Sequence, residues 1–327
     1  MKTIDKNTPI KMAFLGCGFA TKIHSKTLSG FDNVHCYYAS RSLEKSKEYN
    51  EKYTGSGAFG SYDAAIDSPD INVIFIATPP ASHLELAQKA LQAGKHVIVE
   101  KPPFFNSTDF DIVKSLGEKN GCQIMVAENY FYKPSLQKIR GIIADGLIGD
   151  VLFIHINALK MQKIEDWRDD LEQSGGGALF EGGIHWVNYL ANMGLEIVDA
   201  QGLQPAKIGD YEKSILVTAK YREGAVATLQ YSWEVPSLFK GLRISRIFGR
   251  EGSVTFESNG IFIFVRGKKK KLIFPGISDI AGYKGMFEDF FQALRNGESP
   301  QFSLDLAKRD LQLIETIYQT ETAMPSV

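Results

Sequence analysis

Five short apolar runs in the first 128 residues, at 11–15, 34–39, 71–77, 97–99 and 123–127, are separated by stretches of helical periodicity. Runs of this kind suit strands covered on both faces, and strands that alternate with helices build a parallel, doubly wound sheet. In such a sheet ligands bind outside the carboxyl ends of the strands. Residues 96–103, HVIVEKPP, put a Glu–Lys pair at one of those ends, and Pro102 and Pro103 then stop any further ladder pairing. Lys101 is therefore either a solvated loop residue or a group placed for chemistry.

The first run leads into Gly16-Cys17-Gly18-Phe19-Ala20-Thr21, with a helix opening behind it. Glycine at the first two positions permits a tight turn and close approach of backbone to a pyrophosphate, which a helix N-terminus binds through free N–H groups. Gly16, Gly18, Phe19 and Ala20 are thus candidate dinucleotide contacts. Thr21 stands where a third glycine is usual, and its branched side chain would press helix and strand apart unless it turned outward, so the motif is incomplete; Ala20, Ile23 and Thr27 share a helix face. The second run ends in Ser40-Arg41-Ser42 instead of a ribose-binding acid, with Lys45 a turn further. A hydroxyl and a guanidinium there favour NADP(H), with NAD(H) as the other possibility; otherwise Arg41 only covers an adenine face.

After residue 149 the pattern changes to hairpins: 215–221 with 225–233, 244–248 with 253–257, and 261–265 with 271–274. The lysines of 268–271 suit a solvated turn. Phe287, Phe290, Phe291 and Leu294, then Ala307, Leu311, Ile314 and Tyr318, recur at helical spacing as core positions. The expected fold is α/β, a doubly wound Rossmann domain over 1–128 and an α/β domain with an antiparallel sheet over 129–327. The two closing helices belong to the second domain or return to the first. A chain of 327 residues suits two cores.

The polar stretch 174–188 begins SGGG and carries Glu181, His185 and Asn188 at i, i+4 and i+7, one face of a regular helix. A histidine with a second group to fix its tautomer can move protons. The 37 basic and 38 acidic residues give a formal charge of −1, which excludes nucleic acid and anionic membrane as electrostatic partners. Cys17, Cys36 and Cys122 have no paired spacing, no metal set is evident, and no apolar run suits a signal peptide or a membrane span. A cytoplasmic protein with a small-molecule partner is expected.

Taken in order, GCGFAT, TPPASH, EKPP, AENYFYKP, DWR and GGGALFEGGIHWVN resemble the glucose-fructose oxidoreductase, inositol dehydrogenase and rhizopine-catabolism (Gfo/Idh/MocA) family, over nearly the whole chain. The resemblance implies a large, open, mostly antiparallel second sheet, often used for homo-oligomer contacts. It implies hydride transfer between a nicotinamide and a hydroxyl or carbonyl carbon of a sugar, polyol or nucleotide sugar. On it, Thr78, Pro79, His83, Glu100, Lys101 and Asn129 join the cofactor contacts. Lys101 also touches the reacting oxygen, His185 exchanges the proton, and Glu181 takes the place of a common Asp as the third catalytic candidate. Tyr130, Trp167 and Arg168, with Lys101, Glu181 and His185, face substrate, and Tyr132 lies close by. Asn188 replaces another frequent Asp and is expected to give structure. Relatives of other kinds keep three alternatives open: a redox-neutral NAD-dependent glycosidase, a non-catalytic NADP-binding regulator, and a reductase of a dihydrodiol or tetrapyrrole.

Overall fold

The computed structural model describes residues 1–163, 166–205, 211–236, 242–320 and 322–323. Two compact units emerge, Met1–Glu128 with Tyr283–Lys308, and Asn129–Gly282 with Arg309–Val327.

In the first unit the order is β1 (Ile10–Leu15), α1 (Phe19–Leu28), β2 (Val34–Ala39), α2 (Leu43–Lys52), β3 (Gly57–Phe59), α3 (Tyr62–Asp67), β4 (Val73–Ile76), α4 (His83–Gln92), β5 (His96–Val99), α5 (Asp109–Asn120) and β6 (Ile124–Val126). Its six strands are all parallel in the order β3-β2-β1-β4-β5-β6. Strand order therefore reverses between β1 and β4, which makes the carboxyl edge beside them the expected ligand crevice. Every residue of β4 and β5 is buried, as strands covered on both faces must be.

In α1 the buried residues are Thr21, His24, Ser25 and Leu28, while Ala20, Ile23 and Thr27, which share a face, are half-buried. Thr21 turns inward, and its hydroxyl donates to the Gly16 carbonyl oxygen at 2.6 Å. Ser25 donates to the Thr21 carbonyl oxygen at 2.7 Å and accepts from the buried Tyr38 hydroxyl at 3.0 Å. A polar inner face is stable because each of these groups has a partner.

His96, at the start of β5, is buried, and its Nδ1 lies 3.1 Å from the Gln123 N–H. Burial, aided by the nearby Lys2 and N-terminal charges, pushes its pKa down to about 4. The folded state thus holds a neutral ring where the unfolded chain binds a proton near the ordinary value. Stability from this group is complete above about pH 6.5 and is lost as pH falls toward 4. Between pH 7 and pH 5 it should cost about 2 kcal/mol. Burial lowers His83 in the same direction. Denaturant melts at the two pH values should therefore show a smaller difference in His96→Gln than in the parent; equal differences would count against this role.

The second unit contains α6 (Pro134–Ala144), β7 (Val151–Leu159), α7 (Leu171–Ser174), α8 (Ile184–Ala191), β8 (Ile197–Gln204), β9 (Ser214–Tyr221), β10 (Val226–Ser232), β11 (Ile244–Gly249), β12 (Gly252–Glu257), β13 (Ile263–Arg266) and β14 (Lys270–Ile273). Helices α9 (Tyr283–Asn296) and α10 (Leu304–Gln319) and the short β15 (Thr322–Ala323) close the chain. The sheet of this unit runs β14-β13-β12-β11-β7-β10-β9-β8-β15. The three expected hairpins all pair antiparallel, but β7 lies parallel to β10 in the middle and β15 parallel to β8 at the edge. Across its centre Phe153, Val226 and Phe248 stand in adjacent register positions and are all exposed.

Helix α9 belongs to the first unit, where Phe287 meets the ring edges of His24 and Phe31 and lies 6.2 Å from Phe75. Among the described residues no helix is long and apolar enough to cross a membrane.

Candidate active site

Gly16 has φ +108°, and a Cβ there would lie 2.7 Å from the Ala77 carbonyl oxygen, so only glycine allows β1 to turn beside β4. Gly18 begins α1 with open space where a Cβ would stand and no side-chain cap, and no acid follows in the first turn. Phe19 is exposed. The first N–H groups of this ten-residue helix are available to an anion, and the residues present fit a dinucleotide pyrophosphate.

At the end of β2, Ser40 Oγ accepts from the Ser42 N–H at 3.3 Å, and Ser42 caps α2 by accepting from the Lys45 N–H. Arg41 is exposed. Lys45 is drawn to Glu48 at 3.0 Å and sits over the Tyr49 ring. Thr78 and Pro79 are half-buried, and the Thr78 hydroxyl accepts from Ser82 at 2.7 Å.

Two expected cofactor contacts are directed elsewhere. His83 is fully buried: its Nε2 lies 2.8 Å from the Thr78 carbonyl oxygen, and its Nδ1 lies 3.0 and 3.2 Å from those of Pro102 and Pro103. Its ring has no surface to offer a cofactor. Glu100 Oε1 meets His24 Nε2, while Oε2 accepts from the Lys101 N–H at 2.9 Å. Burial pushes the Glu100 carboxyl up, but the His24 bond and charge, with the charge and N–H of Lys101, hold it below its ordinary value. Lys101 itself is half-buried at the carboxyl end of β5. Asn129, in the second unit, is buried with its amide donating to the Ala281 carbonyl oxygen at 2.6 Å.

The three-residue polar stripe also needs correction. Leu179–Gly183 forms a π-helical turn before α8, so Glu181 and His185 do not follow 3.6-residue spacing. The three residues take three sets of partners. Glu181 is buried and accepts from Arg168 Nε at 3.0 Å; the Arg168 guanidinium lies 4.5 Å from the Trp167 ring. His185 stacks on Tyr130 at 4.3 Å and 14°, and the same tyrosine meets Trp186 edge-on and Lys133 at 4.6 Å. Asn188 is fully buried and donates to Asp310 at 2.7 Å. Tyr132 is buried against Phe131.

Residues the sequence did not point to hold this turn. Glu212 accepts the Ala178 N–H on its carbonyl oxygen and the Leu179 N–H on its carboxylate, at 2.9 and 2.7 Å. Tyr318 donates to the same carboxylate and accepts the Phe180 N–H at 3.1 Å. A Cβ on Gly177 would collide with the Glu212 carboxylate, which explains part of the glycine run. Tyr231 is buried beside it; burial first, then the Glu181 charge, raises its hydroxyl well above the ordinary value, and Trp233 Nε1 donates to it at 3.0 Å. Tyr318 was legible only as a helical core position, and nothing in the spacing marks Glu212.

Comparison with known proteins agrees with this architecture. Trans-1,2-dihydrobenzene-1,2-diol dehydrogenase of Xenopus tropicalis is 26% identical over 294 residues, covering 85% of this chain and 87% of its own. Levoglucosan dehydrogenase in complex with NADH superposes with a TM-score of 0.86 at 21% identity, over 96% and 97% of the two chains. A 3-ketoreductase from Actinomadura kijaniata, solved with NADP and TDP-benzene, gives 0.83 at 20% identity over 97% and 99%. Residues 10–128 match the oxidoreductase family model with the NAD-binding Rossmann fold, and 136–255 match the C-terminal domain model of the same family. With the glycine turn at the β1–β4 reversal and both domains matched, the chain belongs to the Gfo/Idh/MocA family of NAD(P)-binding oxidoreductases.

Proposed function

We propose that this oxidoreductase moves a hydride between a nicotinamide and a hydroxyl-bearing carbon of a small polyhydroxylated ring, a sugar, a polyol or a cyclic diol. One observation carries the reading: the uncapped N-terminus of α1 and Lys101 both lie at the carboxyl edge of one parallel sheet, on strands two places apart. When bound, the nicotinamide accepts or gives the hydride. Lys101 stabilises charge on the substrate oxygen, and His185 takes the hydroxyl proton as the carbon–hydrogen bond breaks, returning it in the reverse direction. Glu181, paired with Arg168 next to Trp167, orients the substrate. The dihydrodiol dehydrogenase likeness supports a ring with vicinal hydroxyls.

Turnover of trans-1,2-dihydrobenzene-1,2-diol and of levoglucosan, followed by nicotinamide absorbance, tests the reaction. Cleavage of a nitrophenyl glycoside without net reduction would favour the redox-neutral glycosidase instead, and tight cofactor binding with no turnover of any polyol would favour a regulator.

NADP(H) is the preferred cofactor in this proposal because Arg41, exposed after β2, can pair with a 2′-phosphate. Lys45 adds less, being committed to Glu48. Arg41→Ala should weaken NADPH about tenfold, as loss of one charge-assisted contact does, and NADH by less than about twofold. Equal losses in paired fluorescence titrations would remove Arg41 from cofactor selection.

The exposed Phe153, Val226 and Phe248 form an apolar strip across the second sheet, and such a strip favours a second copy of this chain. Phe153→Lys should shift the sedimentation of a homo-oligomer toward monomer; a parent that sediments as a monomer would end this proposal.

A further inference from the structure

We infer that Lys101 is held from both sides by a buried bracket, His24 and Glu100 on its amino side and His83 on its carboxyl side, and that these three are positioning residues acting through it. The inference rests on Lys101 having the role proposed above.

On the amino side, the carboxylate of Glu100 links two elements. One oxygen meets His24 on α1, and the other accepts the Lys101 N–H at 2.9 Å. The His24 ring is fixed in turn, tilted against Phe75 at 4.6 Å and edge-on to Tyr283 and Phe287. His24 is 1% and Glu100 13% exposed by side chain, so the pair is shielded from competing water. A shielded, charge-assisted bond of this kind restrains its partner more than a surface pair can.

On the carboxyl side, one imidazole touches two turns. His83 reaches the Thr78 carbonyl oxygen with Nε2 and those of Pro102 and Pro103 with Nδ1. The turn after β4 and the turn after β5 thereby pack against one fully buried ring, which as a neutral imidazole donates its single N–H to one of them. The glycine-loop helix, the β4 turn and the lysine turn thus meet at one cluster, in which both histidines are closed to a reactant and Glu100 is nearly so. A displacement of about 1 Å at a reacting group can cost about 10²-fold in rate, so restraint of this backbone is worth more to turnover than to folding.

The experiment compares Glu100→Ala, Glu100→Gln, His83→Ala and Lys101→Met in the full-length protein. Glutamine keeps an oxygen to accept the Lys101 N–H and an amide to donate to His24, so a positioning role predicts rescue. Hydrogen exchange at the Lys101 amide should quicken at least tenfold in Glu100→Ala and return to within about threefold of the parent in Glu100→Gln. With trans-1,2-dihydrobenzene-1,2-diol as substrate, kcat should fall at least about 20-fold in Glu100→Ala and His83→Ala and recover to within about fivefold in Glu100→Gln, while KM stays within about threefold throughout. Unchanged exchange in Glu100→Ala would overturn the bracket, as would a Glu100→Gln enzyme no better than Glu100→Ala, since charge and not position would then be at work. Should Glu100→Ala fail to fold, a Glu100→Gln enzyme with less than one fifth of parental kcat would overturn it equally. Lys101→Met separates the two readings: full turnover in that variant with a quickened Glu100→Ala amide would leave the bracket standing and reject the catalytic role of the lysine.

Discussion

Lys101→Met should lower kcat by about 10²- to 10³-fold while leaving the affinity for NADPH or NADH within a few-fold, the magnitude expected when one preorganised donor to a developing oxyanion is removed. Methionine keeps most of the length of the side chain and removes the ammonium, so packing beside Pro102 and Pro103 is disturbed little. The cofactor's main anchor in this account is the N-terminus of α1, where Gly18 leaves open space and no side chain caps the helix. Binding and chemistry should therefore separate cleanly in stopped-flow traces: a normal cofactor-binding phase, followed by a slowed hydride step. Parental hydride transfer in the variant would mean that charge on the oxygen is met by another donor.

His185→Ala should cost about 10²- to 10⁴-fold in kcat, the range for loss of a general acid–base group. The ring stacks on Tyr130 at 4.3 Å, so its plane is set before substrate arrives, and Lys133 lies 4.6 Å from the same tyrosine. Removing the imidazole should also flatten the pH dependence of the hydride step between pH 6 and pH 9, because the proton would then exchange with water. A slowed enzyme that kept the parental pH profile would point to another proton carrier, and the buried Tyr231 hydroxyl beside Glu181 would be examined next.

The first unit was readable because its signals are local. A glycine at +108° against Ala77, apolar strands four residues long, and a proline pair after Lys101 each announce themselves within a few positions. What could not be read depended on partners distant in sequence. Thr21 and His24 look like surface residues until the Gly16 carbonyl oxygen and Glu100 are brought to them. Strand β7 is hidden in the sequence because apolar Phe153 stands on its exposed face, which blurs the alternation that marks a half-buried strand. The aromatic stripe of α9 showed a helix with a core face but not which core it fills. Spacing puts Glu181, His185 and Asn188 on one face only at 3.6 residues per turn, and the π turn departs from that period.

That wider turn has an implication for how such a site can change. It stores one residue more than an α-helical path between Ala178 and α8 would use, while Glu212 and Tyr318 secure the N–H groups of Ala178, Leu179 and Phe180 from outside. A lineage could lose that residue without displacing α8 from Asp310, and the loss would rotate position 181 away from Arg168. The slack in the chain is thus a reserve of variation: one deletion could redirect the carboxylate, and with it the choice of polyol, while the surrounding fold stayed as it is.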